Sequence, residues 1–184
     1  MIVPCDLKQG FKILPQQLEN YINDNTKWLM LNSPSNPTGA VYSYNELKEL
    51  AKILLKYPKV LILSDDIYEK ILYDKTRFYT IANVEPALKD RTITMNGVSK
   101  AYCMTGWRLG YCGGPKEIIA GINKIQSQST TSTSSISMAA AVEALNGNQD
   151  FILTHNQHFV KRRDMVVEKL NKIPGIKCDN PQGA

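Results

Sequence analysis

An α/β fold, with a mostly parallel sheet flanked by helices, is what this sequence predicts, and three observations carry the prediction. Short apolar runs alternate along the chain with stretches of helical periodicity, as they do when parallel strands are joined through helices. Three of those runs, residues 28–31, 60–63 and 92–95, end in polar and chemically capable residues. With 184 residues and 43% hydrophobic content, the chain can also bury a core of the size such a sheet requires.

Taken in order, residues 14–23 read as a helix starting near Pro15, and 28–31 as the first strand. Residues 43–56 read as a second helix, because Ser43 and Glu46 stand at capping-box spacing and Leu47, Leu50, Ala51 and Leu54 share one face. Two β-rich runs follow at 59–63 and 92–95, and 107–112 reads as a strand closed by Gly113-Gly114-Pro115. Residues 116–126 and 135–145 look helical, joined by a Ser/Thr-rich link at 127–135 that is either a plain polar connection or a loop that approaches a ligand. From 150 to 172 the spacing of Phe151, Leu153, Phe159, Val160, Met165, Val167 and Leu170 predicts a long helix, interrupted or angled near His155-Asn156, and 175–178 starts a further strand.

Composition narrows the function classes. A net charge of +5 is mild, and the basic residues are interspersed with acidic ones apart from Lys161-Arg162-Arg163. Without a basic stripe and aromatic platforms, no nucleic-acid partner is expected. No apolar stretch approaches the roughly 20 residues needed to cross a bilayer, so no membrane partner is expected and the cytoplasm is the expected location. Cys5, Cys103, Cys112 and Cys178 lack the close pairing of a metal site; they are expected to be reduced thiols, and no metal is expected.

In an open parallel sheet, ligands bind outside the carboxyl ends of the strands, so residues that follow the apolar runs can converge on one crevice. Those residues are Asn36 in Asn36-Pro37-Thr38-Gly39, Asp65 and Tyr68 in Ser64-Asp65-Asp66-Ile67-Tyr68, Lys100 in Asn96-Gly97-Val98-Ser99-Lys100, and Arg108 in Thr105-Gly106-Trp107-Arg108-Leu109-Gly110. A lysine at a strand end with an arginine eight residues on suits an amine held for covalent chemistry beside a bound anion. Each feature has a plainer explanation: Pro37 and Gly39 favour a turn in any context, and adjacent aspartates after a strand can cap a helix.

Together these motifs, in this order and spacing, resemble the signature of the class I pyridoxal-phosphate aminotransferases. The stretch Gln126-Ser127-Gln128-Ser129-Thr130-Thr131-Ser132 is similar, more narrowly, to bacterial aspartate (aspartate/prephenate) aminotransferases. The resemblance covers nearly the whole chain and implies a fold-type I large domain, incomplete here, since members are about twice as long. Residues 1–150 would be part of the large cofactor-binding domain, and 151–184 the interdomain helix and the start of the small domain.

The resemblance assigns roles. Lys100 would carry the cofactor, pyridoxal 5'-phosphate, and move the substrate proton. Asp65, selected over Asp66 by the Asp-x-x-Tyr spacing, would pair with the ring nitrogen. Tyr68 and Asn36 would bind the phenolic oxygen, Asn36 would also touch the substrate carboxylate, and Arg108 would hold the phosphate. Many relatives place a phosphate-binding serine three residues before the lysine, where this chain has Gly97. A glycine-rich phosphate loop, a ring-stacking aromatic and a carboxylate-binding arginine are expected outside these residues, so Trp28 and Trp107 are not assigned to stacking, and His155 and His158 read as helix-surface residues. The reaction implied is transfer of the amino group of L-aspartate to 2-oxoglutarate, with amino acid and 2-oxo acid partners and a homodimeric full-length protein; the isolated stretch is expected to be inactive. Alternatives are an aromatic or prephenate aminotransferase, a carbon-sulfur lyase of the same fold, or a non-catalytic sensor domain.

Overall fold

A computed structural model describes residues 2–184. The first helix, α1 (Pro15–Tyr21), starts with proline, whose missing N–H costs nothing at a helix's first position. It is followed by β1 (Trp28–Asn32) and by α2 (Tyr44–Leu55). The capping box forms as its spacing predicts: Ser43 Oγ accepts from the Glu46 amide at 3.3 Å and a Glu46 carboxylate oxygen accepts from the Ser43 amide at 2.7 Å. Beyond α2 come β2 (Leu61–Asp65), a single turn α3 (Ile81–Val84) and β3 (Thr92–Gly97). Arg91 ties the last of these to α2, because its guanidinium donates to the carbonyls of Leu54, Tyr57 and Val60 at 2.7, 2.9 and 2.6 Å. Those carbonyls lie in and just past the last turn of α2, where a cation satisfies groups that the helix leaves open.

The four strands form one sheet in the order β1-β2-β3-β4, with β4 (Gly110–Gly113) antiparallel to β3 and the rest parallel. Asn32, Asp65 and Met95 stand in register across β1 to β3, and Gly97 stands opposite Gly110. The carboxyl ends of the three parallel strands and the start of β4 therefore share one edge of the sheet. The main core lies where α1, α2 and α3 cover the sheet, with Leu50, Leu54, Ile62 and Leu88 fully buried. A second, smaller cluster joins Val98, Ala101 and Tyr102, just past β3, to Ala141 of α5 (Ser135–Asn146) and Ile152 of α6 (Asp150–Asn171).

Four sequence expectations need correction. Residues 107–109 do not belong to β4: Thr105–Trp107 wind into a 3-10 turn and Arg108 takes a left-handed conformation, so the strand begins only at Gly110. Helix α6 runs unbroken through His155-Asn156, because both side chains find partners elsewhere in the fold: Asn156 Nδ2 donates to the Lys70 carbonyl at 2.8 Å, and His155 Nδ1 lies 3.8 Å from Cys103 Sγ. Residues 175–178 form no strand; the segment runs irregularly to Pro181–Gly183, which docks on the loop after β1. There Gln182 and Gly183 donate to the Gly39 carbonyl at 2.8 and 3.2 Å. Gly39, at φ +69, approaches so closely that a Cβ would stand 2.2 Å from Pro181 Cβ. Helix α4 (Lys116–Ser129) also runs three residues further than expected, shortening the Ser/Thr link, whose side-chain hydrogen bonds are all local among the described residues.

The four cysteines are free thiols. Among the described residues, no helix is long and apolar enough to cross a membrane, and no cluster of three metal-ligating side chains forms.

Candidate functional site

The loop after β1 delivers Asn36. Asn32, the last residue of that strand, pins it: its Nδ2 donates to the Asp65 carbonyl at 3.2 Å, and its Oδ1 accepts from the Asn36 amide at 3.3 Å. Ser33 Oγ accepts from the Tyr42 amide at 3.1 Å and so closes the far side of the loop. Neither Asn32 nor Ser33 was singled out in the sequence, since an Asn-Ser pair after a strand says only that a turn follows. From this loop, Asn36 Nδ2 reaches Tyr68 Oη at 3.1 Å. The phenol accepts there, which leaves its own proton free for a further acceptor.

Tyr68 lies in the turn after β2, and Lys100 in the turn after β3. The Lys100 ammonium stands over the Tyr68 ring, 5.5 Å from its centroid, within cation–π range. Among the described residues it has no ion-pair partner and no hydrogen bond, although it is only partly exposed. Asn36, Tyr68 and Lys100, the ends of three successive strand-loop segments, are thus brought into one chain of contacts.

The two aspartates separate cleanly. Strand alternation turns Asp66 inward with Ser64: it is 3% exposed, accepts from Ser64 Oγ at 2.7 Å, and burial pushes its carboxyl up to about 6. Asp65, the last residue of β2, faces the opposite way and stays partly exposed. Its Oδ1 accepts from the Ile67 amide at 3.2 Å, a local turn that fixes the side chain, and neither aspartate heads a helix.

Arg108 is at the same edge of the sheet, one residue past the Thr105–Trp107 turn and two before the residue paired with Gly97. Its side chain is exposed and folds back on its own turn, with Nη1 donating to the Thr105 carbonyl at 3.0 Å. Among the described residues, neither its guanidinium nor the Asp65 carboxylate makes a hydrogen bond or ion pair to Asn36, Tyr68 or Lys100. Gly97 has a packing reason to lack a side chain: a Cβ there would lie 3.1 Å from the Leu109 carbonyl and 3.3 Å from Gly110 Cα, where the chain passes from Arg108 into β4.

An amine, a phenol, a carboxamide and a carboxylate at the carboxyl ends of parallel strands, with an arginine alongside, make the strand ends of this α/β domain the candidate site for a polar ligand. The sequence profile of the family described as "Aminotransferase class I and II" matches residues 1–184. The aspartate/prephenate aminotransferase of Cereibacter sphaeroides is 52% identical over 99% of this chain, which spans 46% of that relative. The crystal structure of the aspartate aminotransferase from Rhizobium meliloti superposes with a TM-score of 0.98 at 52% identity, covering all of this chain and 46% of that one. An aromatic aminotransferase from Pyrococcus horikoshii superposes with a TM-score of 0.93 at 35% identity, covering 99% of this chain and 48% of that one. The chain belongs to the class I and II aminotransferase family, and it spans about half the length of the relatives it matches.

Proposed function

We propose that the chain is the cofactor-binding part of a pyridoxal-phosphate aminotransferase that takes its amino group from L-aspartate and passes it to 2-oxoglutarate. The single observation that carries this reading is the convergence of Lys100, Tyr68 and Asn36 on one point. Relatives named for aspartate and for aspartate/prephenate support the substrate class. Residues 1–150 are assigned to the large domain and 151–184 to the connecting helix and the entry to a second domain, in a protein that acts as a cytoplasmic homodimer.

The residues fit the cofactor. The Tyr68 hydroxyl proton and the remaining Asn36 amide proton both serve an oxyanion placed beside them, which suits the phenolic oxygen. Asp65, held by the Ile67 amide yet not ion-paired among the described residues, is available to a protonated ring nitrogen. Arg108 has one of its five N–H groups committed locally, which leaves a planar fork for a phosphate. When bound, pyridoxal phosphate supplies a ring that accepts the electron pair left when the substrate α-carbon loses its proton. Lys100 Nζ would be the amine that holds the cofactor covalently and, when free of it, the base for the substrate α-proton. Asn36 orients the substrate by binding its carboxylate, and Asp65 keeps positive charge on the ring where it helps most.

The test is an absorption spectrum of the chain titrated with pyridoxal phosphate, followed by borohydride reduction and peptide mapping. A visible band fixed by reduction at Lys100, and lost in Lys100→Ala, is the expected result; attachment spread over surface lysines, unchanged in that variant, would refute the site. Assays of the full-length protein with paired amino donors and 2-oxo acids then decide the substrates, where a preference for aromatic donors or for prephenate would overturn the aspartate assignment.

A further inference from the structure

The turns that carry Tyr68 and Lys100 are joined a second time, two residues further along each, with the residue types exchanged. Lys100 stands over the Tyr68 ring at 5.5 Å, and Lys70 stands over the Tyr102 ring at 5.3 Å. The two pairs differ in what fixes them. Among the described residues Lys100 has only the ring, whereas Lys70 Nζ also donates to Tyr102 Oη at 2.8 Å and to Gln149 Oε1 at 2.9 Å, and Tyr102 Oη donates to the same Gln149 oxygen at 2.9 Å.

Gln149 is in turn anchored, with its Nε2 donating to the Ala144 and Gly147 carbonyls at 2.9 and 2.8 Å at the end of α5. Asn156 of α6 donates to the Lys70 carbonyl at 2.8 Å, and Tyr102 is 8% exposed, its ring packed in the second core cluster. One small network therefore locks the turn after β2, the turn after β3 and the junction of α5 with α6. Directional hydrogen bonds to a partly buried ammonium define geometry far more sharply than a ring face does. Because Lys100 and Tyr102 share one short turn, closed by the Cys103 amide on the Lys100 carbonyl at 3.1 Å, fixing Tyr102 fixes the base of Lys100.

We propose that Lys70, Tyr102 and Gln149 are positioning residues that hold Lys100 over Tyr68, and so set the placement of the reactive amine without touching the cofactor themselves. The assignment of Lys100 rests on the function proposed above; its placement by this network does not.

The test uses Tyr102→Phe, which keeps the ring in its core, and Gln149→Leu, which keeps the volume and removes the acceptor. Limited acetylation with acetic anhydride, read by peptide mapping, gives the reactivity of Lys100 relative to exposed lysines such as Lys116. Each variant is expected to raise that ratio about threefold, the scale of coupling between contacting residues, and to lower cofactor fixed at Lys100 by borohydride to a similar extent. An unchanged ratio would overturn the proposal, and so would a parallel rise at every lysine with a lowered melting temperature, which marks general loosening. Failure of the wild-type chain to take up cofactor at Lys100 would instead refute the proposed function, while the acetylation ratio would still decide whether the network positions the amine.

Discussion

Helices α2 and α4 show what amphipathic spacing does and does not determine. Both read clearly as helices from sequence, and both form. Five residues of α2 are buried, among them Leu50 and Leu54 at 0% exposure, because the sheet and α1 lie against its apolar face. Among the described residues α4 buries none, and its Ile125 is 72% exposed, as is Ile136 on α5. Periodicity sets where a helix forms and which face is apolar; only a packing partner turns that face into stability. Within these residues the first part, built on β1 to β3, is tightly packed, and the second part buries only a small cluster.

Four measurements would break or sharpen this contrast. Leu50→Ala should cost the most, about 3 kcal/mol of unfolding free energy by urea titration, since it empties a fully enclosed site; a loss under about 1 kcal/mol would mean that the α2 contact contributes little.

The next effect depends on pH. Asp66 has a carboxyl raised to about 6 in the folded chain, above its unfolded value, so the folded state binds the proton more tightly and this group's contribution to stability is present at low pH and lost as pH rises from about 4 to 6. Asp66→Asn should remove that loss and gain on the order of 2 kcal/mol over the parent chain at pH 7 relative to pH 4; an identical pH profile for the two chains would contradict the burial argument.

Ser43→Ala should cost about 1 kcal/mol by removing the cap of α2, read from the same titration. Smallest is Ile125→Ala, expected within about 0.5 kcal/mol of the parent chain; a cost comparable to that of Leu50→Ala would show that the exposed face of α4 is covered in solution.

Much of the architecture was legible because it is local. The Ser43–Glu46 capping box, Pro15 at a helix start and the β-rich runs each have a physical cause within a few residues. The convergence of Asn36, Tyr68 and Lys100 was legible too, since strand-end placement and the family motifs pointed to it. What the sequence could not show was the company that side chains keep across the fold. The sequence reading breaks or angles the helix near His155-Asn156, and the partners of these two side chains, Cys103 and Lys70, are far away in sequence. The Gly175-to-Cys178 run looked like a strand by composition, yet no strand pairs with it among the described residues. Arg108 was assigned by motif alone, and its left-handed backbone and inward-curled side chain depend on the turn before it.

The docking of Gln182 and Gly183 on Gly39 has a consequence for the order in which the site matures. These contacts, with the bond from the Val41 amide to Gln182 Oε1 at 3.3 Å, span sequence separations of 141 residues or more. Such non-local closure is slow, and the distant residues must first be synthesised before it can begin. The loop bearing Asn36 leaves the ribosome before either Tyr68 or Lys100, yet it gains its last supports only when residues 182 and 183 have been made.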